Sequence, residues 1–326
     1  MTLSGANTYN GTTSVQDGIL SVSSLNKVSG GALSSNLGAP TTVASGTIHL
    51  GATTTTGQLT YTGSGEITDR VINLLGTTGG ATLDQSGNGT LKFTAAFTAT
   101  GAGNKTLTLQ GSTAGTGEIA GAIVNNSGNM TSVSKSGTGT WVLSGTNTYT
   151  GNTTVSVGTL LINGGSSGAT GAMSVASGAT LGGTGTLGGD VAVSGSLLGG
   201  DGTTGTALTS AKNIALASGS SIVLTLGPGL SHSSLIRTGG TWTFDAAQIF
   251  AFNDLGATAG SYTGLITGLG ADPGTSGWTI ANGWSGNFSY SGGSVNLDLT
   301  AVPEPSTCVL LAFALTTAVV FRRRRV

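Results

Sequence analysis

The chain has 326 residues, 59 glycines and 5 prolines, and only 7% of it is charged, where an ordinary soluble domain carries roughly 25%. Gly, Thr, Ser and Asn are weak helix formers, which excludes a helical bundle; the glycines have no three-residue period, which excludes collagen; the low charge excludes a highly charged disordered chain. Four of the 11 basic residues are Arg322–Arg325, so the rest of the chain stands at about −5 with no basic stripe, and nucleic-acid binding lacks its electrostatic footprint.

Met1–Gly5 lacks the basic residues and apolar stretch of a secretory leader and runs straight into the middle of a repeat. The sequence therefore reads as N-terminally truncated, with further repeats and a signal peptide expected upstream. Short alternating strands follow in chain order: Thr47–Leu50, Thr90–Phe93, Thr106–Leu109, Thr140–Leu143 and Asp190–Val193, each bounded by Gly, Asn or Ser. One face of each is apolar and the other mostly Thr or Ser, so each is expected to be buried on one side.

Two segments match at an offset of 140: Leu3–Val22 and Leu143–Ile162 share 11 of 20 positions. Between them Gly63–Ile67 recurs as Gly115–Ile119, an offset of 52 that equates Glu66 with Glu118, and Ser86–Leu91 recurs as Ser136–Trp141, an offset of 50. A period near 50 residues holding several short strands is the signature of a solenoid or a propeller. Few clear 50-residue units are visible and no ring closure is evident, so an all-β parallel β-helix (solenoid) over residues 1–206 is the preferred architecture, with repeat copies near 3–22 and 135–162. At roughly 20 residues per coil, about ten coils would extend near 48 Å at the ~4.8 Å strand spacing.

From Ala207 the glycine repeats thin out. Trp242, Trp278 and Trp284 gather with Phe244, Phe250, Phe252, Phe288 and Tyr290, and longer strands appear at Ser221–Leu226 and Ser294–Leu299. An open solenoid end exposes a strand edge that invites association, so residues 207–301 are expected to form an aromatic-packed β cap or small sandwich. Residues 302–326 form a separate tail. Within it Cys308–Phe321 is an uncharged apolar run holding the single cysteine, followed at once by the four arginines. As a short hydrophobic helix it would span roughly 21 Å against the ~30 Å hydrocarbon core, so length alone also suits a buried core helix. The abutting arginines favour a membrane or sorting segment and would leave residues 1–301 on the far side of the membrane.

Lys135-Ser-Gly-Thr-Gly-Thr-Trp141, then Leu143-Ser-Gly-Thr-Asn-Thr-Tyr-Thr-Gly151 and Gly158-Thr-Leu160, resemble the autotransporter-associated β-strand repeat, with Trp141 replacing the usual Leu. That resemblance implies a right-handed parallel β-helix of the kind found in secreted passenger domains. Pro303-Glu304-Pro305, the apolar run and Arg322, Arg323, Arg324 and Arg325 resemble the PEP-CTERM sorting signal. This second resemblance implies an exported envelope protein, a transient stay in the bacterial membrane through 308–321, and an exosortase-type membrane enzyme as partner. No series of ~10-residue alternating strands closes the chain as a transmembrane barrel would require.

Catalytic candidates are sparse. His49 and His232 have no companion at zinc spacing. Ser231-His232 lacks a nucleophile elbow, and adjacent residues on a strand point apart. Asp17, Glu66, Asp69, Asp84, Glu118, Asp190 and Asp201 are dispersed, although stacked coils could bring two together for glycosidic cleavage. Gly182–Gly185 and Gly199–Gly202 fail the calcium nonapeptide pattern. Arg70 and Arg237 are the only arginines before the tail, poor provision for an acidic sugar. No cofactor, metal or catalytic residue is expected. The reading is a non-enzymatic surface or extracellular-matrix solenoid, with extracellular polysaccharide as a candidate partner; a polysaccharide lyase or glycosidase, and an adhesin, are the alternatives.

Overall fold

The structure is a computed structural model and describes residues 1–302. The sorting-signal residues Pro303, Glu304, Pro305 and Arg322–Arg325 and the expected hydrophobic helix at 308–321 lie outside the described residues. Among the described residues no helix is long and apolar enough to cross a membrane.

The chain winds as a parallel β-solenoid whose coils visit three faces in turn. The first face is an eleven-stranded sheet running from Thr2–Leu3 to Trp242–Thr243, and the second a ten-stranded sheet from Glu66–Thr68 to Thr279–Ile280. The third face begins as a four-stranded sheet, Thr13–Val15, Ile48–Leu50, Ile72–Leu74 and Thr98–Ala99. It continues without regular strands, held by bonds such as Phe97 N–H to Ala122 O (2.9 Å) and Thr148 N–H to Ile123 O (3.0 Å). A six-stranded sheet beginning at Thr186–Leu187 resumes it. In the first sheet the ten steps between eleven strands give about 48 Å at ~4.8 Å each. That is the length expected from the sequence, but spread over more of the chain. The coil is not fixed at 20 residues: Met173 pairs with Val191, 18 residues on, whereas Gly18 pairs with Gly57, 39 residues on.

Register explains why the strands alternate. Leu20, Leu59, Leu83, Leu109, Lys135, Val155, Val175, Val193 and Leu216 occupy one inward column of the first sheet. In the second sheet Leu91, Gly117, Trp141, Leu160, Leu181, Leu197, Ile222 and Phe250 form another. Because the period is two, the residues between face out; Thr90, Thr116, Thr140, Thr159, Thr180, Ser196 and Ser221 make an outer row of hydroxyls. Gly117 accounts for Trp141: a Cβ there would fall 2.4 Å from the indole, so only glycine leaves room for the ring beneath it. The indole N–H donates to Gln110 O at 2.8 Å.

One sequence expectation changes. Glu66 is in register with Leu91 and Gly117, not with Glu118; the spatial offset is 51 residues rather than 52. A one-residue slip reverses the faces, so Ile67 is 61% exposed while Ile119 is fully buried. The two repeat copies also sit one face apart. Thr13–Val15 and Gly18–Val22 lie on the third and first faces, whereas Thr153–Val155 and Thr159–Ile162 lie on the first and second.

Parallel pairing does not stop near residue 206. Ala207–Ser210 pairs with Ser234–Arg237, and Ser221–Leu226 with Ile249–Asp254, both in parallel. The change of pairing comes only in the last segment, where Ser294–Ala301 lies antiparallel between Gly260–Thr267 and Ser285–Ser291, in a sheet continuous with the third face. The aromatic cluster packs at this end: Phe250 lies 4.3 Å from Phe288 and 5.1 Å from Trp278 between ring centroids.

Candidate functional site

The repeat signature is built into the interior. Lys135 is the one charged residue in its apolar column and is fully buried. Its Nζ donates to the carbonyls of Ser136 (2.9 Å), Gly137 (2.8 Å) and Val157 (3.0 Å), so the ammonium ties a turn of one coil to the next. Burial lowers its pKa to about 8. In the same repeat Asn147 Oδ1 accepts from Ile123 N–H (3.0 Å), and its Nδ2 donates to Gly145 O (3.1 Å) and Ser166 Oγ (3.2 Å). Tyr149 OH meets Thr153 Oγ1 at 2.7 Å, and burial pushes the phenol up to about 12. The N-terminal copy reproduces the local parts: Asn7 Nδ2 donates to Gly5 O (3.3 Å), and Tyr9 OH meets Thr13 Oγ1 (3.2 Å). These residues therefore hold the solenoid together.

Lys135 makes folding pH-dependent. An unfolded lysine titrates near ~10.4, while folded Lys135 does so at about 8. Between those values the unfolded chain binds more protons, so this group's contribution makes stability rise as pH increases through about 8 to 10.4, by up to about 3 kcal/mol. Below pH 8 both states are protonated and the desolvation cost is full and constant. Urea midpoints across this range, compared between the wild type and Lys135→Met, are expected to diverge in favour of the wild type as pH rises. Parallel curves would exclude the effect.

The dispersed acids serve neighbouring backbone and polar groups. Glu66 accepts from Leu25 N–H (2.7 Å) and Asn26 N–H (2.6 Å), and Asp69 from Val28 N–H (2.5 Å) and Ser29 N–H (2.9 Å). Asp84 accepts from Gln58 (3.2 Å), Gln110 (3.1 Å) and Ser86 (2.5 Å). Glu118 pairs with Lys92 at 2.8 Å and accepts from Ser144 at 2.5 Å. Asp17 accepts from Gly18 N–H (2.8 Å), Asp190 from Asn213 N–H (3.0 Å), and Asp201 from Thr203 Oγ1 (2.7 Å).

His49 stands in the third-face ladder beside Asn73, whose Nδ2 lies 2.9 Å from Nδ1; burial lowers the imidazole pKa. His232 lies edge-on to Tyr262 with Nε2 2.9 Å from Thr263 O, while the Ser231 hydroxyl donates to Pro228 O (2.9 Å). Among the described residues no group of three or more His, Cys, Asp or Glu could hold a metal ion.

Sequence reasoning missed the buried cations. Arg70 is fully buried, and burial lowers its pKa. Its Nε donates to Gly46 O (2.7 Å) and its Nη1 to Leu25 O (3.0 Å) and Leu37 O (2.8 Å). Lys105, also buried, donates to Gly76 O and to Ala102 O (2.7 Å). Parity could have placed Lys135, because Thr131, Val133 and Lys135 alternate on one strand; nothing local marks Arg70.

At the C-terminal end Arg237, Thr241, Trp242, Phe244, Asp272 and Pro273 are among the residues lining a groove of about 300 Å³. Arg237 is fixed by its own turns, donating from Nε to Gly240 O (2.9 Å) and from Nη1 to Gly268 O (2.6 Å).

Comparison with known proteins places these features. The model of the passenger-associated-transport repeat matches residues 1–22 and 133–162, and that of the PEP-CTERM protein-sorting motif matches residues 301–325. A stretch of 149 residues is 37% identical to the adhesin BmaC autotransporter of Brucella suis biovar 1 (strain 1330). It covers 44% of this chain and 4% of that relative. The chain is a parallel β-solenoid that carries passenger-associated-transport repeats and a PEP-CTERM sorting motif, the kind read by exosortase-type membrane machinery.

Proposed function

We propose that this is an exported, non-enzymatic solenoid held at the cell surface or in the extracellular matrix, where it works as an adhesive or spacing element. The observation that carries the reading is the pairing of a sorting motif with a 149-residue stretch that is 37% identical to part of a protein named as an adhesin. That name favours adhesion over a purely structural spacer. The outer row of hydroxyls on the second sheet supplies a weakly charged surface suited to hydrogen bonding with polysaccharide. The acids weighed for glycosidic cleavage are each engaged with neighbouring groups, which supports a non-catalytic role. The apolar segment 308–321 would park the chain in the membrane until an exosortase-type enzyme removes the tail.

The test is twofold. A tagged chain in its native host is expected at the outer surface or in the matrix, and deleting its gene is expected to reduce retention of cells on matrix polysaccharide. The purified chain, incubated with a polysaccharide panel, is expected to be retained without producing unsaturated or new reducing ends. Release of such ends would make it an enzyme, and a product found in the cytosol would refute export.

A further inference from the structure

We infer that the groove at the C-terminal end is a binding site for a neutral saccharide, seating a terminal sugar ring or short branch rather than the interior of a long chain. This rests on the surface reading above and names its ligand class. With a volume of about 300 Å³, the groove lies at the small end of the range for small-molecule sites, ~300–1,000 Å³.

Its lining combines what a sugar requires. Trp242 and Phe244, with ring centroids 6.4 Å apart and planes inclined by 55°, give an apolar wall for the C–H face of a pyranose. Trp242 is only 9% exposed, so the ring is held firmly in place as part of that wall. Arg237 commits N–H groups to the carbonyls of Gly240 and Gly268 and so stands rigid. Of the five N–H groups of a guanidinium, it keeps one on each terminal nitrogen for a ligand oxygen. Asp272 receives Gly274 N–H on Oδ1 at 2.8 Å, which leaves Oδ2 to accept from a sugar hydroxyl.

Arg237 and Asp272 share the groove without forming an ion pair; the pair within 4.0 Å among the described residues is Lys92–Glu118. Donors and an acceptor set beside an aromatic wall match hydroxyls, which both give and take hydrogen bonds. The cation and anion together leave no net charge to favour a uronate or a phosphate.

The test uses the full chain labelled with 15N at tryptophan. Titration with cellotriose, chitotriose and maltotriose is expected to move the Trp242 indole resonance for at least one of them, and galacturonic acid trimer is expected to move it less. Asp272→Ala, and separately Ala271→Trp to fill the groove from an exposed position, should weaken that binding about tenfold or more while melting as the wild type does. The inference is overturned by an unmoved Trp242 resonance at millimolar sugar, by preference for the uronate, or by binding indifferent to both variants. Failure here is separable from failure of the surface reading. Cells retained on matrix by a chain whose Trp242 stays silent would remove this site alone. Sugar binding at Trp242 by a chain found in the cytosol would leave the site and refute the surface role.

Discussion

Replacing Arg70 with Met is expected to destabilise the protein by about 3–5 kcal/mol and to release the 23–46 segment before the rest of the solenoid. That segment is the long excursion in the coil where Gly18 pairs with Gly57. It covers the outer edge of Glu66–Thr68, the terminal strand of the second sheet, without a ladder of its own. Apart from backbone bonds of Ser35 and Ala39 to Asn7 and Tyr9, its backbone is fastened by side chains. Glu66 and Asp69 take the N–H groups of Leu25, Asn26, Val28 and Ser29, while Arg70 takes the carbonyls of Leu25, Leu37 and Gly46. Met preserves much of the apolar stem but supplies no donor, so three buried carbonyls lose their partner at once. Urea unfolding reads the loss of stability, and the rate of tryptic cleavage after exposed Lys27 reads local release. Arg70→Lys keeps the charge without the fork and should fall between the two. A Met variant with the wild-type midpoint and cleavage rate would show that the guanidinium is not the fastening.

The acid–base cluster Glu66–Asp69–Arg70 shows what a sequence conceals. Its partners lie 24 to 45 residues earlier in the chain, in a stretch with neither strand periodicity nor repeat match. By contrast the strands themselves were legible, because a period of two is local and the interior columns select it. Ser221–Leu226 appears with the bounds that the sequence suggested. The repeat offsets were legible to within a residue, and that residue mattered. Glu66 resembles Glu118 in its flanking glycines, but ladder register is set by the whole coil, and the slip puts Ile67 outside and Ile119 inside.

Equally, matching residues did not mean matching places. The two repeat copies keep their Asn and Tyr–Thr contacts while lying one face apart, because those contacts span two to four residues and do not depend on the sheet beneath. The candidate groove was half visible. Aromatic enrichment after Ala207 announced packing at that end, but Asp272 is 35 residues from Arg237 in the chain and only the fold brings it beside Arg237 and Trp242.

Deleting residues 255–301 while keeping the tail is expected to convert the protein into concentration-dependent filaments. In the intact chain the aromatic rings and the antiparallel strands Gly260–Thr267, Ser294–Ala301 and Ser285–Ser291 close the C-terminal end. Phe252 packs against Trp284 at 5.5 Å, Phe250 against Phe288 and Trp278, and Ser234–Arg237 pairs with Gly260–Thr267. The deletion removes the partners of Ile249 and Phe250 in one edge strand and of Leu235 and Ile236 in the other, and strips the covering rings from Phe250 and Phe252. Such an edge templates another strand. In this 326-residue chain the matching edge on a second copy lies at the opposite end of its solenoid, at Thr13–Val15, the terminal strand of the third face to which Ser234–Arg237 also belongs. Pairing of unlike ends is heterologous and does not close, so it propagates. Analytical ultracentrifugation and thioflavin fluorescence of the deletion, set beside the intact chain and a chain lacking only 303–326, separate end exposure from loss of the apolar tail. Filaments are expected in the first alone. If the 255–301 deletion sediments as the intact chain does at the same concentration, the antiparallel strands are not what keeps this end from association.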